Sequence, residues 1–489
     1  MILYQRLRSL LSRHPLFVCL AFALAIRLPI ALFDNNVLAP DEIAQYLEQA
    51  HRLVYHHGPV PWEYQVGLRS WLIPGVLALP MWVAKEMGLS PHSGLLLVRT
   101  LLSLLSLSIV WCAFQWGRLY QGITGAWITG GLAALWPDLW LMAPHPLEEA
   151  LAAYSLLPAA YLTTLARQRA EPRYILAAGF LLGLTFILRE QLAPAIAIIG
   201  IYLCGKNAKS WLLGVGMGCI PLLLAGGLDW LTWGQPFRSF WLNAYLNIFL
   251  VSSHFFGAST PSITSPPGFY VYGLLVDWLF SIVAVTVLCW RGACRLPMAG
   301  FSVLAIIATH SLIPHKEFRY LFPAIALIVP LTGLGLAQTL PALSSPKRLL
   351  AMLFLLSGPV LSPLLKMGLF SQTNAALLYG QLAERHPCLV AIADTNLMPM
   401  TPLFGSTDFT TAASAAAADA IVAQKDAPGI PPGFKRQSCV TRDRAPAGIN
   451  NPEICYWTRA AGWCVRHGDH APFEFEFPAV VRRFKITGG

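Results

Sequence analysis

The sequence predicts an all-α polytopic membrane protein with a small soluble α+β domain after its last span. Three observations carry that prediction. Only 12% of the 489 residues are charged and 56% are hydrophobic, with a mean hydropathy of +0.56; soluble domains hold about 25% charged residues. Apolar runs long enough for a helix to cross bilayer hydrocarbon, about 17 to 25 residues, recur along the chain. Sixteen Trp and fifteen Tyr suit the aromatic belts at the two membrane interfaces. The net charge of +10 follows from Lys and Arg in cytoplasmic loops, so nucleic acid is not an expected partner.

Taken in order, the basic start MILYQRLRSLLSRH looks like the n-region of a signal peptide. The apolar run after it is long, however, and no small-residue cleavage site follows. An uncleaved first helix over 15–33 is the expectation. Basic clusters orient the rest: Arg6, Arg8 and Arg13; Arg118; Arg167, Arg169 and Arg173; Lys206 and Lys209; Arg291 and Arg295; Lys347 and Arg348. Placing all of them in the cytoplasm predicts about eleven spans that start inside and end outside. They fall near 15–33, 94–116, 122–143, 147–166, 174–189, 191–205, 210–228, 270–290, 298–314, 319–338 and 349–370. The pair 174–189 and 191–205 is short for a full crossing. Residues 70–84, SWLIPGVLALPMWVA, are apolar but short and hold two prolines. As a span they would flip every later basic loop outward, so an interfacial or re-entrant helix within an outer loop over 34–93 is expected.

This topology sends most remaining ionisable groups at membrane level to one face. Asp41, Glu42, His145, Glu148, Arg189, Glu190, Asp229, His315, Lys316, Glu317 and Arg319 all fall on the outer side. Charge at a membrane boundary is costly and marks a pathway or site, which predicts one outward-opening polar cavity. Arg27 lies inside the first helix and needs a partner or a route to the interface.

The membrane domain is expected over 1–370 and a soluble domain over 371–489. The tail has no spanning run. It holds an Ala-rich, helix-like piece at 411–424, Pro/Gly turns at 428–433 and a partly alternating stretch, FEFEFPAVVRRFKI, that reads as strand. Its four Cys, Cys388, Cys439, Cys455 and Cys464, fall in an oxidising compartment, so disulfides are expected, with three possible pairings. They lack the CxxC spacing of a zinc site. The six other Cys read as small core residues. His51, His56 and His57 lack helical i, i+4 spacing, and neither a metal nor any other cofactor is expected.

The outer loop carries the densest chemistry. In PDEIAQYLEQAH, Pro40 suits a helix start, with Asp41 and Glu42 in the first turn where acids complement the helix dipole. Glu42 and Gln45, and Gln45 and Glu48, share a face that could hydrogen-bond a sugar. Trp62, Tyr64 and Trp71 could stack on sugars or anchor the interfacial helix.

DEIAQYLEQAHRL followed by PWEY and LRSWLIP resembles the first luminal loop of glycosyltransferase family 22. These are the dolichol-phosphate-mannose-dependent α-mannosyltransferases of GPI-anchor and N-glycan assembly. Two more blocks follow in order. LDWLTWGQPFRSFWLNAYLN is similar to the family's Asp-x-x-x-Tyr-Gly segment running to an Asn, with Trp233 in place of the Tyr. HKEFRYLFPAIAL is similar to its His-Lys-Glu-x-Arg-Phe-x-x-Pro signature. The blocks span residues 39 to about 327. The tail's NLMPMTP only loosely echoes a family Met-Pro-Cys-His stretch, with Met400 in place of the Cys. The resemblance implies the GT-C membrane fold, a polyprenyl-phosphate-sugar donor and a glycan or glycolipid acceptor.

The chemistry of that reaction fits the residue types. The phosphate leaves already ionised and needs no general acid, whereas the acceptor hydroxyl needs a base. An α-linkage from a β-linked donor takes a single inverting displacement, so one base suffices, unlike the paired carboxylates of retaining hydrolases. Asp41 is the expected base, with Glu42 beside it and Asp229 as rival or helper. The leaving phosphate needs cations. His315, Lys316 and Arg319 are the expected set, with Arg189 and Arg69 as further candidates. Gln45, Glu48, His51, Trp62, Glu63 and Glu148 are the expected sugar and acceptor contacts. Glu317 would repel a phosphate and is expected to pair with Arg319 or Lys316 and hold them. The alternatives are a GT-C transferase for another lipid-linked sugar, or a transporter of lipid-linked glycans. No inverted repeat of the transporter kind is visible. Tight loops and the lack of an ER-retention signal favour a bacterial inner membrane, with the site facing the periplasm, over an ER membrane facing the lumen.

Overall fold

The computed structural model describes residues 13–33, 37–246, 265–313, 315–366, 373–393, 400–441 and 453–459. The chain forms two compact units. The first comprises residues 1–32, 100–227 and 251–364; the second comprises 33–99, 228–250 and 365–489.

Helices occupy all eleven predicted positions. Among the described residues five are long and apolar enough to cross a membrane: Pro15–Phe33, Pro91–Leu135, Ala208–Trp233, Phe269–Arg295 and Phe318–Ala342. Shorter apolar helices cover Pro172–Leu188, Glu190–Cys204 and Pro297–Leu312. Pro91–Leu135 is two helices joined at Gln121 and Gly122, whose backbones are not helical. The second of these stops at Leu135, short of the predicted 143, because Trp136 turns extended and Pro137 opens a separate short helix, Pro137–Leu141. The core of the first unit is the helix Phe322–Thr339, buried at every residue from Phe322 to Ala337.

Two devices hold this unit together without a hydrophobic drive between helices. Small residues let backbones touch. At Gly183, on Pro172–Leu188, a Cβ would fall on the carbonyl of Gly218 of Ala208–Trp233, and Gly179 meets Gly214 in the same way. Polar groups are the second device. Arg27 is fully buried and donates to Ser106 Oγ at 3.0 Å and to the Ala134 carbonyl at 3.3 Å. It thereby caps the last carbonyls of the helix that ends at Leu135, which accounts for a cation at that depth.

In the second unit the segment expected to be the outer loop forms a π-helical turn, Glu42–Leu47, running into the helix Glu48–Tyr55, then short and long helices Trp62–Gln65 and Leu72–Glu86. The apolar stretch 70–84 is thus helical, as expected. The tail is a five-stranded mixed sheet. Its strands are β1 Leu389–Ile392, β2 Asp408–Thr411, β3 Ala420–Gln424, β4 Lys435–Thr441 and β5 Glu453–Thr458, in the order β2-β1-β3-β5-β4. β1 pairs in parallel with β2 and β3, while β5 pairs antiparallel with β3 and β4. The central strands LVAI and AIVAQ are almost wholly buried, as strands covered on both faces must be. The helix Thr373–Ala383 packs on β4 and β5.

The Ala-rich piece at 411–424 is not a helix. It is a 3-10 turn, Ala412–Ser414, followed by β3. Pairing on both sides and burial between β1 and β5 override alanine's helix propensity. Gly429 and Gly433, with φ of 88° and 92°, make the expected turns. A disulfide joins Cys439 to its cross-strand partner Cys455, and Cys388 is also disulfide-bonded. Cys464 and the stretch FEFEFPAVVRRFKI lie outside the described residues.

Candidate active site

Two clusters contain most of the expected residues, one in each unit.

In the second unit the chain enters the outer loop through Asp41, which is half-buried at the N-terminal edge of the π-turn. The turn closes with the Glu48 amide donating to the Ile43 carbonyl five residues back. Such widened turns concentrate at functional sites because they rotate side chains off the α-helical faces. Here the π-turn is met by Glu63 from the short helix Trp62–Gln65. Gln45 Nε2 donates to Glu63 Oε1 at 3.2 Å. The side-chain carbonyl oxygen of Gln45 is buried and has no partner among the described residues. Burial pushes the Glu63 carboxyl up; the charge of Arg69 pulls it down and that of Asp41 raises it further. Asp41, Gln45 and Arg69 thus all act on Glu63.

The other expected residues of this unit have different surroundings. Glu42 Oε2 accepts from the Leu38 amide at 3.2 Å, tying down the approach to the turn. Glu48 is buried against Gly58, whose φ of 119° and missing Cβ leave room for the carboxyl. Neither Glu48 oxygen has a hydrogen-bond partner among the described residues, and desolvation pushes its pKa well up despite Arg52 nearby. His51 Nε2 lies 2.7 Å from the Phe404 carbonyl. Trp62 is half-buried in the first turn of its short helix. Asp229 Oδ2 accepts from the Ser239 hydroxyl at 2.6 Å and the Ser239 amide at 2.9 Å. Trp233, where the family pattern has Tyr, donates its indole N–H to the Arg69 carbonyl at 3.1 Å, and Arg238 donates to the Val66 carbonyl at 3.0 Å. The Asp229–Ser239 segment thus clasps the turn that presents Arg69. Tyr64 and Trp71 pack edge to face, with Trp233 beside them. That knot is structural.

In the first unit, Arg189 breaks the helical path between Pro172–Leu188 and Ala193–Cys204 with an extended backbone. Its buried guanidinium donates to Glu148 Oε1 at 2.7 Å and lies 3.0 Å from Glu149 Oε1, both in the first turn of the helix Glu148–Arg169. The ring of Tyr320 stacks under Arg189 at 4.5 Å and Arg319 at 5.4 Å. Arg319 grips Glu317 with two bonds, Nε to Oε2 at 2.7 Å and Nη2 to Oε1 at 3.2 Å. His315 Nε2 at 3.0 Å and the Tyr320 hydroxyl at 2.9 Å complete the same carboxylate. Burial alone would raise the Glu317 carboxyl; hydrogen bonds from His315, Arg319 and Tyr320 and the charge of Arg319 outweigh it and hold the group far below its usual range. Glu317 therefore pairs with Arg319, as the sequence suggested. Lys316 stands apart from this network. Its ammonium donates to the Ser265 carbonyl at 2.9 Å, and it forms no ion pair among the described residues.

Sequence reasoning missed Glu149 and Tyr320. Glu149 is 1% exposed and approaches both Arg189 and, at 3.9 Å, Arg319. The doubled acid Glu148–Glu149 at a helix start was the available signal. Which of the two turns inward depends on helix rotation, which sequence does not supply. Among the described residues no group of three His, Cys, Asp or Glu side chains is placed to hold a metal ion.

The sequence model of the Alg9-like mannosyltransferase family matches residues 18–394. GPI mannosyltransferase 3 of Yarrowia lipolytica is 27% identical over 385 residues, covering 74% of this chain and 70% of its own length. Mannosyltransferase APTG1 of Arabidopsis thaliana is 24% identical over 332 residues, covering 65% and 58%. Among solved structures, ArnT from Cupriavidus metallidurans bound to undecaprenyl phosphate is similar in fold, with a TM-score of 0.60, 13% identity and coverage of 92% of this chain and 99% of that one.

Proposed function

We propose that this chain, which belongs to the Alg9-like mannosyltransferase family and is a membrane glycosyltransferase of GT-C fold acting on lipid-linked sugar, moves mannose from a polyprenyl-phosphate donor to a hydroxyl of a glycan or glycolipid. The transfer inverts the anomeric carbon. The acceptor oxygen attacks it while the carbon–phosphate oxygen bond breaks, and the acceptor proton passes to a carboxylate. The observation that carries this reading is the setting of Asp41. It is a half-buried acid on a π-turn, beside the half-buried Glu63 and the side-chain carbonyl of Gln45, which has no partner among the described residues. Asp41 takes the proton, Gln45 accepts a hydrogen bond from an acceptor hydroxyl, and Arg69 and Glu63 set the local field. Asp229 binds Ser239 through Oδ2 and remains the rival base.

The donor phosphate falls to Lys316 first. Its ammonium has donors to spare, whereas Arg319 and Arg189 already hold carboxylates. Arg319, three residues further along the chain, seconds Lys316. That the ArnT structure binds undecaprenyl phosphate supports a polyprenyl-phosphate partner. The basic-loop pattern supports a site on the non-cytoplasmic face, the periplasmic side of a bacterial inner membrane or the lumenal side of an ER membrane.

The test is turnover in detergent, with no membrane to cross. Purified protein given polyprenyl-phosphate [3H]mannose and octyl α-mannoside should yield labelled disaccharide. Transfer from a polyprenyl-phosphate glucose donor but not the mannose donor would move the reading to another sugar. Wild-type protein inert with both donors would overturn it.

A further inference from the structure

The outer loop does not stand by itself within its unit. His51 and His57 both reach the tail. His51 is 2% exposed, and its Nε2 donates to the Phe404 carbonyl at 2.7 Å across 353 residues of sequence. The ring stacks on Tyr55 at 4.6 Å, which fixes its plane along the helix Glu48–Tyr55. That helix ends where His56 turns left-handed, φ 63°, and Gly58 follows at φ 119°. The turn aims His57 at β2, where its Nδ1 meets Asp408 Oδ1 at 2.7 Å. On the tail side, Phe404 is itself locked edge to face between Tyr379 and Phe409. It follows directly on the 3-10 turn Thr401–Leu403. This is the end of the NLMPMTP stretch, for which the sequence offered no role.

We infer that the C-terminal domain is a positioning element of the acceptor site: Phe404 and Asp408 fix the helix Glu48–Tyr55 through His51 and His57, and so fix the π-turn carrying Asp41 and Gln45. The inference rests on the proposed role of Asp41 and goes beyond it, since it gives the tail a part in transfer. The geometry favours a local clamp over general stability. Both contacts converge on one eight-residue helix continuous with the π-turn. The buried contact leads: a lost neutral hydrogen bond typically costs close to a factor of ten. The His57–Asp408 pair, 34% and 42% exposed, contributes less, about two- to fivefold.

The experiment uses the full-length protein in detergent and two readouts. The first is deuterium exchange of peptides covering 39–55, which needs no substrate. His51→Phe keeps an aromatic ring and removes the donor. It should speed exchange of that segment about tenfold while peptides of β1 and β3 stay protected. His57→Asp and Asp408→His should each speed it by less, and the two together should restore protection. The second readout is transfer from polyprenyl-phosphate [3H]mannose to octyl α-mannoside. The same variants should raise the KM for the mannoside in the same order, leaving the KM for the donor unchanged. Unaltered exchange of 39–55 in His51→Phe overturns the clamp. So does equal loss of protection in the tail sheet, which marks a folding role only. Absence of transfer in the wild type sinks the proposed function but leaves the exchange result to decide whether the tail holds the loop.

Discussion

The outer loop and the cluster around Arg189 use the same kinds of side chain to opposite effect. In the loop, Asp41 is half-exposed, the side-chain carbonyl of Gln45 has no partner among the described residues, and Glu63 is raised by burial. Around Arg189, Glu148, Glu149 and Glu317 surround two guanidinium groups, with Tyr320 stacked between them. The first cluster keeps one buried acceptor, the Gln45 side-chain carbonyl, without a partner among the described residues. The second is nearly closed on itself: three carboxylates already answer two cations, so a phosphate would have to compete for them. That is the reason for proposing Lys316, outside that network, as the first partner of a donor phosphate. Charged residues at a membrane face are therefore not interchangeable evidence of a site; what each is already bonded to decides what it can still do.

The sharpest way to break the contrast is Asp41→Asn. It should lower transfer by about 10²–10⁴-fold, the usual loss for a general base, with donor binding intact. Single-turnover transfer from the labelled donor checks this. Activity within threefold of wild type would hand the base role to Glu63 or Asp229.

Acid is the next lever, and on the loop side it acts through His51. Burial pushes the His51 imidazole down to about 4, against the pull of the backbone groups of Phe404 and His57. The unfolded chain would protonate it near 6.5. A depressed histidine is held neutral in the folded state, so stability is full above pH 6.5 and falls as pH drops toward 4, by up to roughly 3 kcal/mol. Exchange of 39–55, corrected for intrinsic rates, should accelerate across that window. His51→Phe should abolish the acid dependence. An unchanged acid dependence in that variant would assign the effect to another group.

The donor side is probed by Lys316→Ala and Arg319→Ala, each expected to weaken donor binding about tenfold to a hundredfold, from 1.5–3 kcal/mol per charged bond. Lys316→Ala should be the larger. Arg319→Lys should recover little, since an ammonium cannot keep the two-pronged grip on Glu317. Glu317→Gln should cost less than either cation. Titration of donor against folded, monodisperse protein separates this from a helix anchor, for which yield falls but affinity per folded molecule does not.

Sequence reading reached some of these residues and not others for a physical reason. The helices were legible because length and apolarity are local properties, and the eleven predicted positions are all helical. The Glu317–Arg319 pair was legible because both ends lie within three residues. Glu149 with Arg189 was not, since the bond spans two helices whose rotation no local pattern sets. The Ala-rich stretch at 411–424 misled because alanine's preference is weak and β3 is decided by its neighbours on both sides. For His51, what no local pattern supplies is its hydrogen bond to Phe404, 353 residues away.

Glu149 yields the smallest effect and the one whose sign is informative. Its Oε1 lies 3.0 Å from Arg189 and 3.9 Å from Arg319, and its Oε2 is buried without a partner among the described residues. Glu149→Gln keeps the shape and one acceptor oxygen but removes one of three carboxylate charges. Arg189 retains Glu148, and Arg319 retains Glu317. If this cluster receives the donor phosphate, losing a like charge a few ångströms away should tighten binding of donor or of polyprenyl phosphate, by about fivefold once solvent screening is allowed for. Release of the product phosphate should slow in step. Glu149→Ala should do the reverse, because the two guanidinium groups lose the group that spaces them and the cavity left behind lets them drift. If the cluster only pins the break at Arg189, both substitutions lower thermal stability and neither moves donor affinity. Equilibrium binding of polyprenyl phosphate to the two variants, measured beside their melting temperatures, tells these outcomes apart: opposite signs of affinity belong to a phosphate site, and parallel losses of stability belong to a structural knot.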